Sequence, residues 1–288
     1  MPDMAYVNGE FVPLAEARIS VNDRGVYFAD AVYEVCITYG GKVFLLNEHF
    51  DRLERSLRGV RINYAVDRQF LADLLYEGIR RSGYQETLIY LQVGRAIAQR
   101  DRQFPDKTKP TLMLTFREKP RIAPDKRERG LEAILVPDER WGHCHYKTTM
   151  LLPNVLAYQK ALDSGKDDAI FYDSQTRTVR EATAANVFIA QGDRLATPEE
   201  NAKMLSGTVR RYVIDLARQN GLELDERPVA VDELLAADEV FLTGTTTEVM
   251  AVVRVDDRPI GKGAPGALTR RLYQLFDESV DPKRSSPC

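Results

Sequence analysis

A two-domain α/β fold is predicted by three features of the sequence. Short β-rich runs alternate with amphipathic helical runs, the pattern of packed sheet and helix layers. Around residues 119–130 (KPRIAPDKRERG) the apolar periodicity stops and prolines and charges take over, as in an interdomain linker. A length of 288 residues suits one large core or two moderate ones. Together these predict an N-terminal domain over 1–118, a linker over 119–129 and a longer C-terminal domain over 130–288.

In the N-terminal part, MAYVNGEFVPL places Asn8-Gly9 between two short apolar runs and predicts a hairpin. AVYEVCITYGGKVFLL repeats the pattern about Gly40-Gly41. NEHFDRLERSLRGV then predicts a helix with Asn47 as N-cap and Phe50, Leu53 and Leu57 along one face. RQFLADLLYEGIRRSG predicts a second amphipathic helix ending at Gly83. ETLIYLQVGRAI and KPTLMLTFRE read as central strands joined by the polar loop AQRDRQFPDKT.

Beyond the linker, LEAILVP, DAIFYD, NVFIA, EVFLT and VMAVVRV read as short buried strands. LPNVLAYQKALDSG, SGTVRRYVIDLARQNG and APGALTRRLYQLFDES read as helices between them. No internal repeat interrupts this order, and the end, KRSSPC, is expected to fray. Ligands favour the cleft between two such domains.

Composition narrows the function. Forty basic residues against forty-three acidic ones leave a net charge of −3, without the basic excess of a general nucleic-acid surface. No apolar run approaches the roughly 20 residues that cross a bilayer, so no membrane partner is expected. MPDMAYVNGEF lacks the basic and apolar regions of a signal peptide. Cys36, Cys144 and Cys288 form no spacing motif. A reduced, cytoplasmic protein is the expectation.

The stretch WGHCHYKTTM, residues 141–150, concentrates reactive side chains. If 143–147 is a strand, alternation puts His143, His145 and Lys147 on one face. Two imidazoles could share a metal, but a catalytic zinc needs a third ligand, and neither HExxH nor a paired CxxC is present. No metal is therefore assigned, and a metal-dependent hydrolase is only a rival reading. A lysine at a strand end in a cleft can instead form a Schiff base with an aldehyde, though lysines are most often solvated.

Other segments suit the same anionic aldehyde. Glu181, in TRTVREATAANVFIA, follows a β-like run; a carboxylate facing a pyridine nitrogen keeps it protonated. In MLSGTVRRYVIDLA, Gly207 and Thr208 head an amphipathic helix whose free N–H groups favour phosphate, although such caps are common in any helix. In FLTGTTTEVM, Gly244 and three threonines offer small donors at a strand end. Arg52, one turn after His49, could add a positive charge.

These segments, with YVNGEFVP, DRGVYFADAVYEV, LNEHFDRL, RDRQFP, YKTTMLLPNVLA, REATAANVF, LSGTVRR and FLTGTTTEV, resemble the fold-type IV (class IV) pyridoxal-phosphate enzymes. That family includes branched-chain and D-amino acid aminotransferases and aminodeoxychorismate lyases. The resemblance implies a smaller N-terminal and a larger C-terminal α/β domain, with pyridoxal 5'-phosphate between them, in a homodimer. By it, Lys147 would carry the cofactor and Glu181 would hold its pyridine nitrogen. Arg52, Thr208, Val209 and Thr245 would bind its phosphate, and Arg140 would lie near its phenolic oxygen.

The loop AQRDRQFP is similar to one that, in D-amino acid aminotransferases, reaches from the partner subunit and traps the substrate carboxylate with a tyrosine. Arg100 and Tyr33 take the matching places, and Arg102 stands where those enzymes have histidine. A guanidinium binds carboxylate through a paired fork. Thr246 is a further substrate-binding candidate. Leu152 occupies the place of a tyrosine characteristic of branched-chain enzymes. The implied activity is transfer of an amino group from a D-alanine-like amino acid to 2-oxoglutarate or pyruvate, Lys147 removing the Cα proton. An (R)-amine transaminase, a branched-chain L-aminotransferase and an aminodeoxychorismate lyase are the alternatives within the family.

Overall fold

The structure, a computed structural model, describes residues 3–280; the expected frayed end KRSSPC lies outside the described residues. The chain forms two compact units. One takes the chain up to Pro120 together with Tyr146–Met150; the other takes Arg121–His145 and the chain from Leu151 on.

In the first unit, β1 (Met4–Val7) and β2 (Glu10–Pro13) form the antiparallel hairpin about Asn8-Gly9. There follow α1 (Arg24–Phe28), capped by the Asp23 carboxylate, β3 (Ala31–Tyr39), β4 (Lys42–Val43), α2 (Leu46–Gly59), α3 (Arg68–Ser82), β5 (Thr87–Gly94) and β6 (Thr111–Glu118). The sheet runs β2-β1-β6-β5-β3-β4, antiparallel at every pairing, with its three longest strands, β3, β5 and β6, inside it. Phe50, Leu53 and Leu57 of α2 and Leu71 and Leu75 of α3 close its core against Ile89, Leu91, Leu114 and Phe116.

Two sequence expectations are corrected here. The α2 helix starts at Leu46 with left-handed Leu45 (φ 54°) as N-cap, and Asn47 lies inside its first turn. Leu46 packs against the core, and that burial moves the helix start ahead of the polar capping signal. Residues 143–147 do not form a strand. Residues 142–145 are turn, and only Thr148 bridges a neighbour, Val32. Instead of a strand ladder, the backbone of this segment finds scattered partners: His145 N–H donates to Ala202 O, Lys147 N–H to the Ser56 hydroxyl, and Lys147 O accepts from Tyr33 N–H.

The second unit begins with α4 (Pro124–Arg129), which lies within the segment expected as linker; its Arg127 pairs with Glu248 and donates to Val249 O at 3.2 Å. It continues with β7 (Leu131–Pro137), α5 (Leu152–Asp163), β8 (Asp168–Tyr172), β9 (Val179–Ala182), β10 (Asn186–Gln191) and β11 (Arg194–Thr197). Then come α6 (Thr208–Gln219), β12 (Glu223–Glu226), α7 (Val231–Ala236), β13 (Glu239–Gly244), β14 (Glu248–Val255), β15 (Arg258–Pro259) and α8 (Ala267–Val280). The mixed sheet runs β12-β11-β10-β13-β14-β7-β8-β9, with β15 on β14. Val187, Ile189, Val240, Leu242 and Val252 fill one core face. No helix among the described residues is long and apolar enough to cross a membrane.

Candidate active site

In the first unit the site residues gather around Lys147. The strap Tyr146–Met150 is held along β3: Tyr33 N–H donates to Lys147 O at 2.9 Å, and Thr149 N–H to Ala31 O at 3.1 Å. The Lys147 N–H donates to the buried Ser56 hydroxyl of α2 at 3.0 Å. The side chain then extends to place Nζ 4.2 Å from the Tyr33 ring centroid, a cation–π distance. Tyr33 in turn stacks on Tyr90, centroids 5.3 Å apart.

Behind this, α2 presents His49, Arg52 and Ser56 on one buried face, spaced as a helix spaces neighbours. Glu34 of β3 accepts from Arg52 Nε at 2.8 Å and Nη2 at 2.6 Å, and lies 2.7 Å from His49 Nδ1. Burial alone would raise the Glu34 carboxyl. The Arg52 charge and hydrogen bonds and the His49 bond outweigh it and hold the pKa at about 2. Burial pushes the His49 imidazole below its usual range despite the Glu34 contact. Arg52 is thus a fixed cation whose charge is matched by Glu34.

The strand that would have set the two flanking histidines on the lysine's face is absent. His143 and His145 belong to the turn, with ring centroids 5.8 Å apart, and His143 packs edge-on against Trp141 at 5.2 Å. His145 Nδ1 lies 3.2 Å from Ala202 O, and Cys144 Sγ donates to Trp141 O at 3.2 Å.

In the second unit the centre is Glu181 of β9, buried. Arg140 Nη1 donates to its Oε1 at 2.5 Å, Leu205 N–H reaches both oxygens at 3.1–3.2 Å, and Asn186 Nδ2 reaches Oε2 at 3.1 Å. Arg140 is itself fixed by Asp138 through two bonds of 2.9 Å and by Lys203 O at 3.0 Å. Burial raises the Glu181 pKa above its ordinary value, and the Arg140 charge only partly opposes it. Burial would lower Arg140, but Asp138 and Glu181 raise it, so it stays charged.

The α6 N-terminus lies beside this cluster. Gly207 is the N-cap without a side-chain cap, and the first-turn N–H groups have no acceptor within the helix. The Thr208 hydroxyl is buried and has no partner. A Cβ at Gly207 would collide with Asn186 Oδ1, although the backbone there is ordinary (φ −69°). Glycine therefore lets the loop close over Asn186, and the first-turn donors of α6, without acceptors in the helix, suit an anion. Thr245 and the more exposed Thr246 form the turn between β13 and β14; the Thr243 hydroxyl just before it is also buried without a partner.

Arg100 and Arg102 lie exposed on the loop between β5 and β6. Arg100 sits over the Phe28 ring at 5.5 Å, and neither arginine bonds Tyr33 or Lys147. The loop is set from beneath by buried Arg24, which bonds Asp101 O, Gln103 O at 3.3 Å and Asp30 at 2.8 Å. The sequence reading did not single out Glu34, Ser56, Asp138 or Asn186. A signal existed for two of them: Glu34 is the one charged residue of β3, and Asn186 is a buried polar residue that opens the apolar run of β10.

Comparison with known proteins follows the same lines. The amino-transferase class IV family model matches residues 31–255. A D-alanine aminotransferase of Bacillus licheniformis is 36% identical over 275 residues, 95% of this chain and 95% of its own. One from Staphylococcus haemolyticus is 31% identical over 280 residues, 97% and 99% of the two chains. Among solved structures, a T.th. branched-chain amino acid aminotransferase with pyridoxamine 5'-phosphate superposes with a TM-score of 0.89. It is 26% identical, and the match covers 100% of this chain and 96% of that one.

Proposed function

Since this chain belongs to the class IV aminotransferases, we propose that it moves the amino group of a D-alanine-like D-amino acid to a 2-oxo acid such as 2-oxoglutarate or pyruvate. The carrying observation is the 36% identity to a D-alanine aminotransferase across 95% of both chains. The cofactor is pyridoxal 5'-phosphate. The residues present fit it: the α6 N-terminus has a buried, partnerless Thr208 hydroxyl and uncapped N–H groups, which a phosphate would satisfy. Thr208, Val209, Thr245 and the fixed cation Arg52 would hold that phosphate.

When bound, the cofactor supplies an aldehyde for the amino group and an electron sink for the Cα carbanion. Lys147 would bind it and would take and return the proton at the substrate Cα. Glu181 would hold a proton at the ring nitrogen. The three donors on its carboxylate keep it aimed, and Arg140 orients it from the side, anchored by Asp138. Tyr33 and Arg100 would bind the substrate carboxylate, with Arg102 and Thr246 as further substrate-binding residues. What supports Tyr33 is its ring beneath Lys147 Nζ; what supports Arg100 is the rigid seat that Arg24 gives its loop.

The working form is a homodimer whose subunits share their pockets. Its support is α5, which exposes Leu152 (68%), Val155 (58%) and Leu156 (62%) in a row. The free thiols Cys36 and Cys144 suit a reducing, cytoplasmic setting. Initial rates with D-alanine, L-leucine and (R)-1-phenylethylamine as donors to 2-oxoglutarate test the substrate class. D-alanine should be turned over fastest, and a preference for L-leucine would transfer the chain to the branched-chain branch.

A further inference from the structure

The polar face of α2 does not end at Ser56. One turn on, Gly59 meets the ring of Tyr146, the residue that precedes Lys147. A Cβ at position 59 would fall well inside van der Waals contact distance of the Tyr146 ring carbons Cε1 and Cζ and would lie 2.6 Å from Cδ1. The backbone does not ask for glycine there: the helix continues through Gly59, the next residue is the C-cap, and its φ is not positive. Glycine is required by the ring alone. The two neighbouring contacts converge on one dipeptide, with Ser56 Oγ holding the Lys147 N–H at 3.0 Å and Gly59 giving the Tyr146 ring its seat.

From these contacts we infer that Ser56 and Gly59 are positioning residues for Lys147. They fix the backbone on both sides of the peptide that launches its side chain toward Tyr33. The inference rests on Lys147 being the reactive lysine. A methyl group at 59 must push the aromatic ring outward, and the ring is attached one residue from the catalytic amine. Misplacements of about 1 Å at a reacting group can cost about 100-fold in rate.

The test is a coupling experiment on the holoenzyme together with hydrogen exchange on the cofactor-free protein. Gly59→Ala should lower kcat at least about tenfold while moving KM for D-alanine less than about threefold, the pattern of a misaligned catalytic group. In a Tyr146→Ala background the same change should cost less than about twofold, because no ring remains to be displaced. In the cofactor-free protein, Ser56→Ala should speed exchange of the Lys147 amide at least about tenfold, since its acceptor is gone. Equal losses from Gly59→Ala in both backgrounds, with unchanged exchange in Ser56→Ala, overturn the inference provided Lys147→Ala is inactive. An active Lys147→Ala overturns the underlying reading instead.

Discussion

A single lysine divides the candidate readings. Lys147 is held by backbone bonds to Tyr33 and Ser56, and its strap by one to Ala31, so its side chain starts from a fixed point. Replacing it with alanine should leave that strap in place, because the bonds are made by main-chain atoms. Turnover should nevertheless fall by at least about 10⁴-fold, as for loss of a nucleophile and base in one group, and the visible absorbance of bound cofactor should disappear. Initial rates and the spectrum of purified protein check both. Glu34 carries a different expectation, about stability. Its folded pKa of about 2 lies below its ordinary 4.5, so its contribution is complete above pH 4.5 and lost as pH falls toward 2. A depression of this size is worth ~3 kcal/mol. Glu34→Gln should destabilise the protein by ~3 kcal/mol or more at pH 7, because buried Arg52 loses its counter-charge. It should also flatten the acid dependence of stability between pH 4.5 and 2, read by urea unfolding at a series of pH values.

Elements place these residues, and they differ in how plainly the sequence announces them. The loop between β5 and β6 has no regular structure, yet Arg24 grips Asp101 O and Gln103 O, and Arg95 lies over Phe104 at 3.7 Å. If this loop traps the substrate carboxylate as proposed, Arg24→Ala should loosen it. KM for D-alanine should rise about tenfold, with a much smaller change for an uncharged amine donor. Steady-state kinetics with both donors measure it; equal changes would detach the loop from carboxylate binding. The strands on either side were legible, because β5 alternates buried and half-buried residues along its length. So were α2 and α3, whose apolar residues recur at helical spacing. The strap beginning at Tyr146 was not. Its conformation is set by Ala31, Val32 and Ser56, about ninety residues or more earlier in the chain, and no local pattern encodes such partners. Asn186 was visible as a residue type but not as a junction, which it is because Glu181, Leu205 and Gly207 meet around it. Short pieces such as α7 and β15 offer too few residues for any periodicity to register. At the candidate site, Lys147, Glu181, Thr208 and Arg140 were named from the sequence, whereas the contacts that Ser56, Asp138 and Asn186 make around them were visible only in three dimensions.

At the scale of the whole molecule, α5 is inverted relative to an ordinary surface helix. Its buried residues are the small Ala157 and Ala161, while Leu152, Val155, Leu156 and Leu162 face outward. A surface helix normally turns its large apolar side chains to the core, and a contiguous apolar face left outside marks an interaction surface. In a two-fold dimer each such residue is buried twice, once per subunit. A leucine contributes about 1.5 kcal/mol or more when fully buried, so losing one from both sides costs ~3 kcal/mol. That corresponds to about a 100-fold weaker dimer. Leu156→Glu should exceed this, since it also sets two carboxylates into the apolar face. It should shift the protein from dimer to monomer at micromolar concentration in sedimentation velocity. If the pocket is completed by the partner's loop, the monomer should also lose D-alanine turnover, and activity should return as concentration is raised. A Leu156→Glu protein that remains a dimer would remove α5 from the interface and leave its outward leucines to another partner.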